Sequence, residues 1–232
     1  MKTEESNPEV PETKLPQENL ILYGYWRSSC SWRVRIGLAL KGLQYENRYV
    51  HLVKDGGEQH SEAHKARNAM ECVPSLELAS GQVLSQSLAI LEYLEEAYPQ
   101  TYHLLPSDYL ARAKVRQLAL ILAADTQPIQ NLRVLDRVGS LVDAKARTAW
   151  ATHWISEGMR AFEKEISKTS GKYCYGDSVT LADLCLIPQM YNARRFNCDI
   201  SGWVTCLRVE AALNELPEFQ GAVPEKQGDA QV

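Results

Sequence analysis

The most reactive combination of side chains in this sequence is two serines and a cysteine: Ser28, Ser29 and Cys30. They follow an apolar run at 20–23 that predicts a buried strand, and they open a helix whose apolar stripe runs from Trp32 through Ala39 to Leu43. A helix N-terminus exposes main-chain N–H groups that favour a negative charge, and a thiolate carries such a charge. The spacing alone leaves two interpretations open: a thiolate-stabilising site, or two hydroxyls that cap the helix beside a space-filling cysteine.

The elements around these residues predict a small mixed sheet with helices. A second strand at 45–52 would follow the first helix and pair in parallel through a right-handed crossover. A short polar helix is expected at 61–67. Pro74 directly precedes a third strand, where a proline marks a sheet edge or a cis turn. The turn at 80–82 then predicts a hairpin, and a further helix begins at 85–87.

Helical periodicity fills the second half of the chain. Four helices are expected, at 111–127 with a kink at Pro128, at 143–168, at 181–193 and at 206–216. Thr180 and Asp183 form a capping box that starts the third of these helices, which we place at the centre of the second core. Trp150 and Trp154 are also expected in that core. The predicted boundaries are a disordered tail at 1–18, an α/β domain at 19–99, an all-α domain at 107–221 and a loose tail at 222–232.

Composition excludes several classes of function. The chain has 232 residues and a net charge of -4, with Lys and Arg scattered, which argues against nucleic acid and against an anionic membrane as partners. No apolar run is long enough to span a membrane, and the first residues lack the apolar core of a secretory signal. The six cysteines contain no C-x-x-C pair, which predicts free thiols in a reducing, cytoplasmic compartment and no metal site.

Five ordered motifs resemble the zeta class of the soluble glutathione transferases. They are SSCSWRVRI at 28–36, QSLAI at 86–90, QPIQNL at 127–132, ADLCLIPQ at 182–189 and NARRF at 192–196. The resemblance covers about 20–199 and implies a thioredoxin-like α/β N-terminal domain followed by an all-α C-terminal domain, with glutathione as the cofactor. The chain departs from the family at Ala69, where a proline is usual, and at Cys72, where a glutamine is usual.

Carried over motif by motif, the resemblance implies a role for each of twelve residues. The catalytic group, which would face the glutathione sulfur, is Ser28, Ser29 and Cys30. The residues that would hold the rest of the cofactor are Arg33, Gln59, Val73, Gln86, Ser87, Gln127 and Asn131. Arg27 and Arg195 would bind the substrate. Structural alternatives stay open: Ser87 as a plain helix cap, Gln127 and Asn131 as local partners of the kink, and the arginines as surface residues.

The resemblance also implies an activity. It is the glutathione-dependent cis–trans isomerisation of maleylacetoacetate to fumarylacetoacetate, in the breakdown of phenylalanine and tyrosine, by a homodimer that accepts a small dicarboxylate. Side activity on small α-halo acids is expected. Three alternatives remain at this point: a general glutathione transferase, a thiol transferase with Cys30 as its covalent nucleophile, and an interaction module without catalysis.

Overall fold

A four-stranded mixed sheet organises the first domain of the computed structural model, which describes residues 19–231. Strand β1 (Leu20–Gly24) pairs in parallel with β2 (Tyr45–Tyr49) and antiparallel with β3 (Ser75–Glu77). Strand β4 (Val83–Ser85) pairs antiparallel with β3, so the order is β2-β1-β3-β4. The predicted parallel crossover and hairpin are therefore confirmed, whereas the tail predicted at 1–18 lies outside the described residues.

Within the described residues, three α-helices complete this domain: α1 (Ser29–Leu40), α2 (Glu62–Arg67) and α3 (Ser87–Ala97). Helix α1 is buried on nearly every side, because the sheet, α3 and the helical domain all pack against it. Val34 and Leu38 share one apolar cluster with the sheet, while Trp32 and Ile36 belong to the cluster of the helical domain. The predicted stripe is wrong at Ala39, which is exposed.

Six helices form the second domain. They are α4 (Tyr109–Ala123), α5 (Leu132–Leu141), α6 (Ala144–Ile166), α7 (Leu181–Arg195), α8 (Val204–Leu213) and α9 (Pro217–Ala222). Helix α7 lies at the centre, with most of its residues buried and contacts to α1, α4, α6 and α8. The predicted capping box is confirmed, since the Asp183 carboxylate accepts hydrogen bonds from the main-chain N–H and the hydroxyl of Thr180.

Two expectations for the helical domain are wrong. The helix expected at 111–127 ends at Ala123, and a separate helix, α5, begins after Asn131 instead of continuing beyond a kink. Trp150 is 37% exposed and donates its indole N–H to the carbonyl of Ile129 at 3.0 Å, so it is not a core residue. The buried side of α6 instead carries Ala151, Ile155, Met159, Phe162 and Ile166.

The C-terminal segment, residues 223–231, differs from the loose tail predicted at 222–232. The Asp229 carboxylate accepts a hydrogen bond from the main-chain N–H of Trp26 at 3.0 Å. The main-chain N–H of Gly228 donates to the Tyr49 hydroxyl at 3.1 Å, and Ala230 packs beside the cluster that contains Trp26. The segment therefore packs on the first domain, directly behind the loop between β1 and α1.

Candidate active site

Ser28 is the N-cap of α1. Its hydroxyl oxygen accepts a hydrogen bond from the main-chain N–H of Ser31 at 3.2 Å, and its extended backbone is typical of this position. The interpretation of Ser28 as a helix cap is thus confirmed. It does not exclude the chemical role, because the Ser28 hydroxyl keeps its hydrogen and borders two cavities.

Cys30 and Arg33 lie one helical turn apart and face the junction of the two domains. The Cys30 thiol donates to the Gln127 side-chain oxygen at 3.3 Å, and Arg33 Nη1 lies 3.8 Å from the Cys30 sulfur and 3.3 Å from the Ser87 hydroxyl oxygen. The Arg33 side chain is buried, and its Nε and Nη2 have no hydrogen-bond partner among the described residues. An isolated buried cation is costly, so this guanidinium suits a bound anion.

All twelve residues selected from the sequence line three neighbouring cavities. The first cavity, of about 280 Å³, is bordered by Cys30, Arg33, Val73, Gln86, Ser87, Gln127 and Asn131. The second cavity, of about 350 Å³, is bordered by Ser28, Gln59, Val73 and Asn131 among others. The third cavity, of about 100 Å³, is bordered by Arg27, Ser28, Ser29, Gln127, Asn131 and Arg195. Because Asn131 borders all three, they form one continuous depression between the domains.

Main-chain groups contribute to the first two cavities. The peptide bond between Val73 and Pro74 is cis, which confirms one of the two sequence interpretations. Gln86 has a positive φ of 72° and precedes the first residue of α3, and no side chain caps that helix. The first residues of α3, Ser87 and Leu88, border the first cavity, so the N-terminus of the helix lies beside it. In the second cavity the Gln59 side-chain oxygen is buried and lacks a partner among the described residues. These groups suit a ligand with carboxylates and amides.

Two arginines from different domains border the third cavity. Arg27 stacks over Trp26 at 5.0 Å and Arg195 over Phe196 at 5.1 Å, and neither forms an ion pair with a carboxylate among the described residues. Partial desolvation lowers the pKa of Arg195, and the positive charge of Arg27 lowers it further. Two guanidinium groups that repel each other at one cavity provide a site for an anion.

Other residues that border the cavities are not among the twelve selected from the sequence, and Asn192, Cys72 and Arg133 are three of them. Asn192, which begins the motif at 192–196, donates to the Ser29 hydroxyl oxygen at 2.9 Å. Cys72 and Arg133 border both the first and the second cavity. The spacing of Asn192 from Arg195, three residues on one helix, was a usable signal, because residues three apart lie on the same face. No local signal marked Arg133.

No helix in the described part of the chain is long and apolar enough to cross a membrane. Among the same residues, no cluster of His, Cys, Asp and Glu side chains has the arrangement of a metal site.

Known proteins resemble this chain over most of its length. Residues 27–97 match the family "Glutathione S-transferase, N-terminal domain". Maleylacetoacetate isomerase of Rattus norvegicus is 48% identical over 209 residues, which cover 90% of this chain and 94% of that protein.

Two solved structures extend this likeness to the fold. Maleylacetoacetate isomerase from Anaeromyxobacter dehalogenans 2CP-1, with bound dicarboxyethyl glutathione and citrate in its active site, has a TM-score of 0.84 and 46% identity, covering 93% of this chain and 99% of that one. A maleyl pyruvate isomerase described as a bacterial glutathione S-transferase of the zeta class has a TM-score of 0.86 and 43% identity, covering 91% and 100%. The chain, with its serine pair at the start of α1 and its interdomain depression, belongs to the zeta-class glutathione transferases, the family of the maleylacetoacetate isomerases.

Proposed function

We propose that this chain is a glutathione-dependent isomerase that converts maleylacetoacetate to fumarylacetoacetate, in the breakdown of phenylalanine and tyrosine. The observation that carries the proposal is the third cavity, where two arginines without carboxylate partners adjoin the serine pair at the N-terminus of α1. A dicarboxylate would bind there beside a site that favours a thiolate. We further propose a homodimer in the cytoplasm, and the strongly exposed Tyr109 and Leu110 of α4 are apolar surface that a second copy could cover.

The groups that border the first two cavities fit glutathione, a tripeptide with one thiol and two carboxylates. The N-terminus of α3, with Ser87 and the unpartnered N–H groups of Arg33, provides donors for a carboxylate. The Val73 main chain forms no hydrogen bond among the described residues, which leaves a strand edge for a peptide amide. Gln59 offers one buried, unpartnered oxygen as an acceptor.

Glutathione, when bound, supplies a thiolate that adds to the cis double bond and leaves after the bond has rotated, so that it is regenerated. The chain's own task is to stabilise negative charge at the sulfur. A partly buried helix N-terminus contributes about 0.3–2 kcal/mol to a neighbouring anion, and one hydrogen bond to a charged group adds about 1.5–3 kcal/mol. Since one pKa unit is about 1.36 kcal/mol, the N-terminus of α1 and one serine hydroxyl together would lower a thiol pKa by about one to four units.

Arg27 and Arg195 would hold the carboxylates of the substrate and fix its orientation. Without a cation at this place, the approach of an anionic substrate to an anionic sulfur is opposed by Coulomb repulsion. A guanidinium can donate two parallel hydrogen bonds to one carboxylate, which sets both distance and direction. The two guanidinium groups would also stabilise the negative charge that develops on the conjugated carbonyl groups in the transition state.

Net transfer of glutathione, including displacement of halide from small α-halo acids, is the second candidate function. The residues that lower the thiol pKa belong to α1 and do not depend on which acceptor enters the third cavity. An α-halo acid also carries a carboxylate that the two arginines could bind.

The test is an isomerase assay with the purified protein, run with and without glutathione. We expect turnover only when glutathione is present. A glutathione concentration far below that of the substrate should suffice, because glutathione is not consumed. Consumption of one glutathione per substrate would favour the transferase instead. Turnover without glutathione, or failure to bind it in calorimetry, would contradict the proposal.

A further inference from the structure

Asn192 is a buried residue of the helical domain that contacts the serine pair of the first domain. Its side-chain Nδ2 donates to the Ser29 hydroxyl oxygen at 2.9 Å, across 163 residues of sequence. Ser29 and Asn192 are 7% and 5% exposed, and both border the third cavity. A hydrogen bond between two such buried groups fixes the orientation of both.

This contact determines what the Ser29 hydroxyl can do. A serine hydroxyl has one hydrogen and two lone pairs. The Asn192 amide uses a lone pair, and no acceptor among the described residues takes the hydrogen of Ser29. The hydroxyl is thus held in place by its oxygen and keeps its hydrogen for a group that enters the cavity.

The neighbouring serine is held differently. The Ser28 oxygen accepts its hydrogen bond from the main chain of its own helix, at Ser31. The orientation of Ser28 therefore depends on the first domain alone, whereas that of Ser29 depends on α7. Because Asn192 and Arg195 lie three residues apart on α7, one turn of that helix contacts Ser29 and also carries the proposed substrate arginine.

We propose that Asn192 is a positioning residue, which directs the hydrogen of the Ser29 hydroxyl toward the sulfur of bound glutathione. The inference rests on the proposed function, because the sulfur belongs to glutathione. It assigns the helical domain a part in thiolate formation, in addition to binding of the second substrate. An acceptor in place of the amide N–H would reverse the effect, since the hydroxyl would then donate to residue 192 and not to the sulfur.

The test measures the pKa of the bound glutathione thiol, from the ultraviolet absorbance of its thiolate, in Asn192→Ala and Asn192→Asp. We expect Asn192→Asp to raise this pKa by about one unit or more and Asn192→Ala by less, on the scale of one hydrogen bond to a charged group. In a Ser29→Ala background, Asn192→Ala should cause no additional shift, because its effect passes through the hydroxyl. Glutathione affinity, measured where the thiol is neutral, should change by less than about threefold.

Gln189 provides a matched control on the same helix, because it is fully buried, is amide-bearing and borders none of the three cavities. Gln189→Ala should leave the thiol pKa unchanged. If both Asn192 variants bind glutathione with the wild-type thiol pKa, or if Asn192→Ala has its full effect without Ser29, the inference is overturned and the proposed function stands. If the wild-type protein does not bind glutathione, both are overturned.

Discussion

Replacement of Arg195 by alanine is the sharpest test of how the third cavity binds substrate. The substitution removes one of two guanidinium groups that border the cavity and leaves Arg27 in place. It breaks no ion pair among the described residues. The folded structure should therefore change little, and the effect should appear in turnover of the dicarboxylate.

The expected magnitude follows from the position of Arg195. Two unit charges about 4 Å apart attract by about 4 kcal/mol at an effective dielectric constant of about 20, which is an upper limit for a cation near the surface. Loss of one preorganised electrostatic group costs about 2–4 kcal/mol in the transition state. Because the Arg195 side chain is exposed to solvent and Arg27 remains, we expect the lower part of this range, about 2–3 kcal/mol. That corresponds to a loss of about 30- to 160-fold in kcat/KM.

The assay is kcat/KM for maleylacetoacetate at saturating glutathione, together with the Kd of glutathione from calorimetry. Arg195→Lys should recover only part of the loss, since lysine keeps the charge without the paired donors. Arg194 is the matched control, because it pairs with Glu210 and borders none of the three cavities. Weaker glutathione binding with an unchanged kcat/KM for the dicarboxylate would refute the assignment of Arg195 to the substrate.

Three further predictions concern the sulfur site and the stability of the fold. Ser28→Ala should raise the thiol pKa of bound glutathione, and it should also lower the free energy of unfolding by about 1 kcal/mol because Ser28 caps α1. Ser61→Ala, which removes the cap of α2, is the control: it should lower stability in urea unfolding and leave the titration of the glutathione thiol unchanged. Cys30→Ala should keep measurable isomerase activity, whereas complete loss with glutathione still bound, or a mixed disulfide in mass spectra, would favour a covalent nucleophile. Burial opposes ionisation of Glu163, but hydrogen bonds from the main chain of Cys206 and Thr205 outweigh this effect and lower the pKa of the carboxyl. The ionised carboxyl therefore stabilises the fold above the unfolded-state pKa of about 4.5, and this stabilisation is lost as the pH falls through the lower folded-state pKa. Glu163→Gln should then lower the free energy of unfolding at pH 7 and approach that of the wild type in acid, whereas an equal difference at every pH would contradict this prediction.

The motifs selected residues that lie close together in the fold, whereas periodicity missed several helix boundaries. The serine pair, Gln86 and Ser87 all lie at strand-to-helix junctions, where caps and polar residues give strong local signals. Those signals place the residues at helix N-termini, and the fold then brings the N-termini to one depression. For this reason all twelve residues border the interdomain depression even though several helix boundaries were missed.

The missed boundaries have local physical causes. Helix α4 ends at Ala123 because the Thr126 hydroxyl donates to the carbonyl of Ile121 at 2.6 Å and Pro128 disfavours helix in the residue before it. In α6, the large apolar surface of Trp150 suggested a core position, but the buried row begins one residue later, at Ala151. Hydrophobicity alone cannot distinguish the buried side of α6 from the side that carries Trp150, because a tryptophan can lie at the surface with its indole N–H in a hydrogen bond.

The contacts of the C-terminal segment could not be read from local sequence. Residues 223–231 are polar and contain proline and glycine, which is the usual composition of a loose tail. Their order comes from partners far away in the chain, such as the main chain of Trp26 and the hydroxyl of Tyr49. A pattern within nine residues holds no information about such partners.

The contact between Asp229 and Trp26 has a consequence for the biosynthesis of the protein. The two residues are 203 positions apart, so at about 5–20 residues per second a ribosome adds Asp229 roughly 10–40 s after Trp26. The four strands of the sheet all lie within residues 20–85, so they are synthesised well before Asp229. The loop that carries Arg27 and Ser28, in contrast, receives its support from Asp229 only when translation of the chain has reached that residue. The hydrogen bond between this loop and Asp229 can therefore form only after all the strands of the sheet have been synthesised.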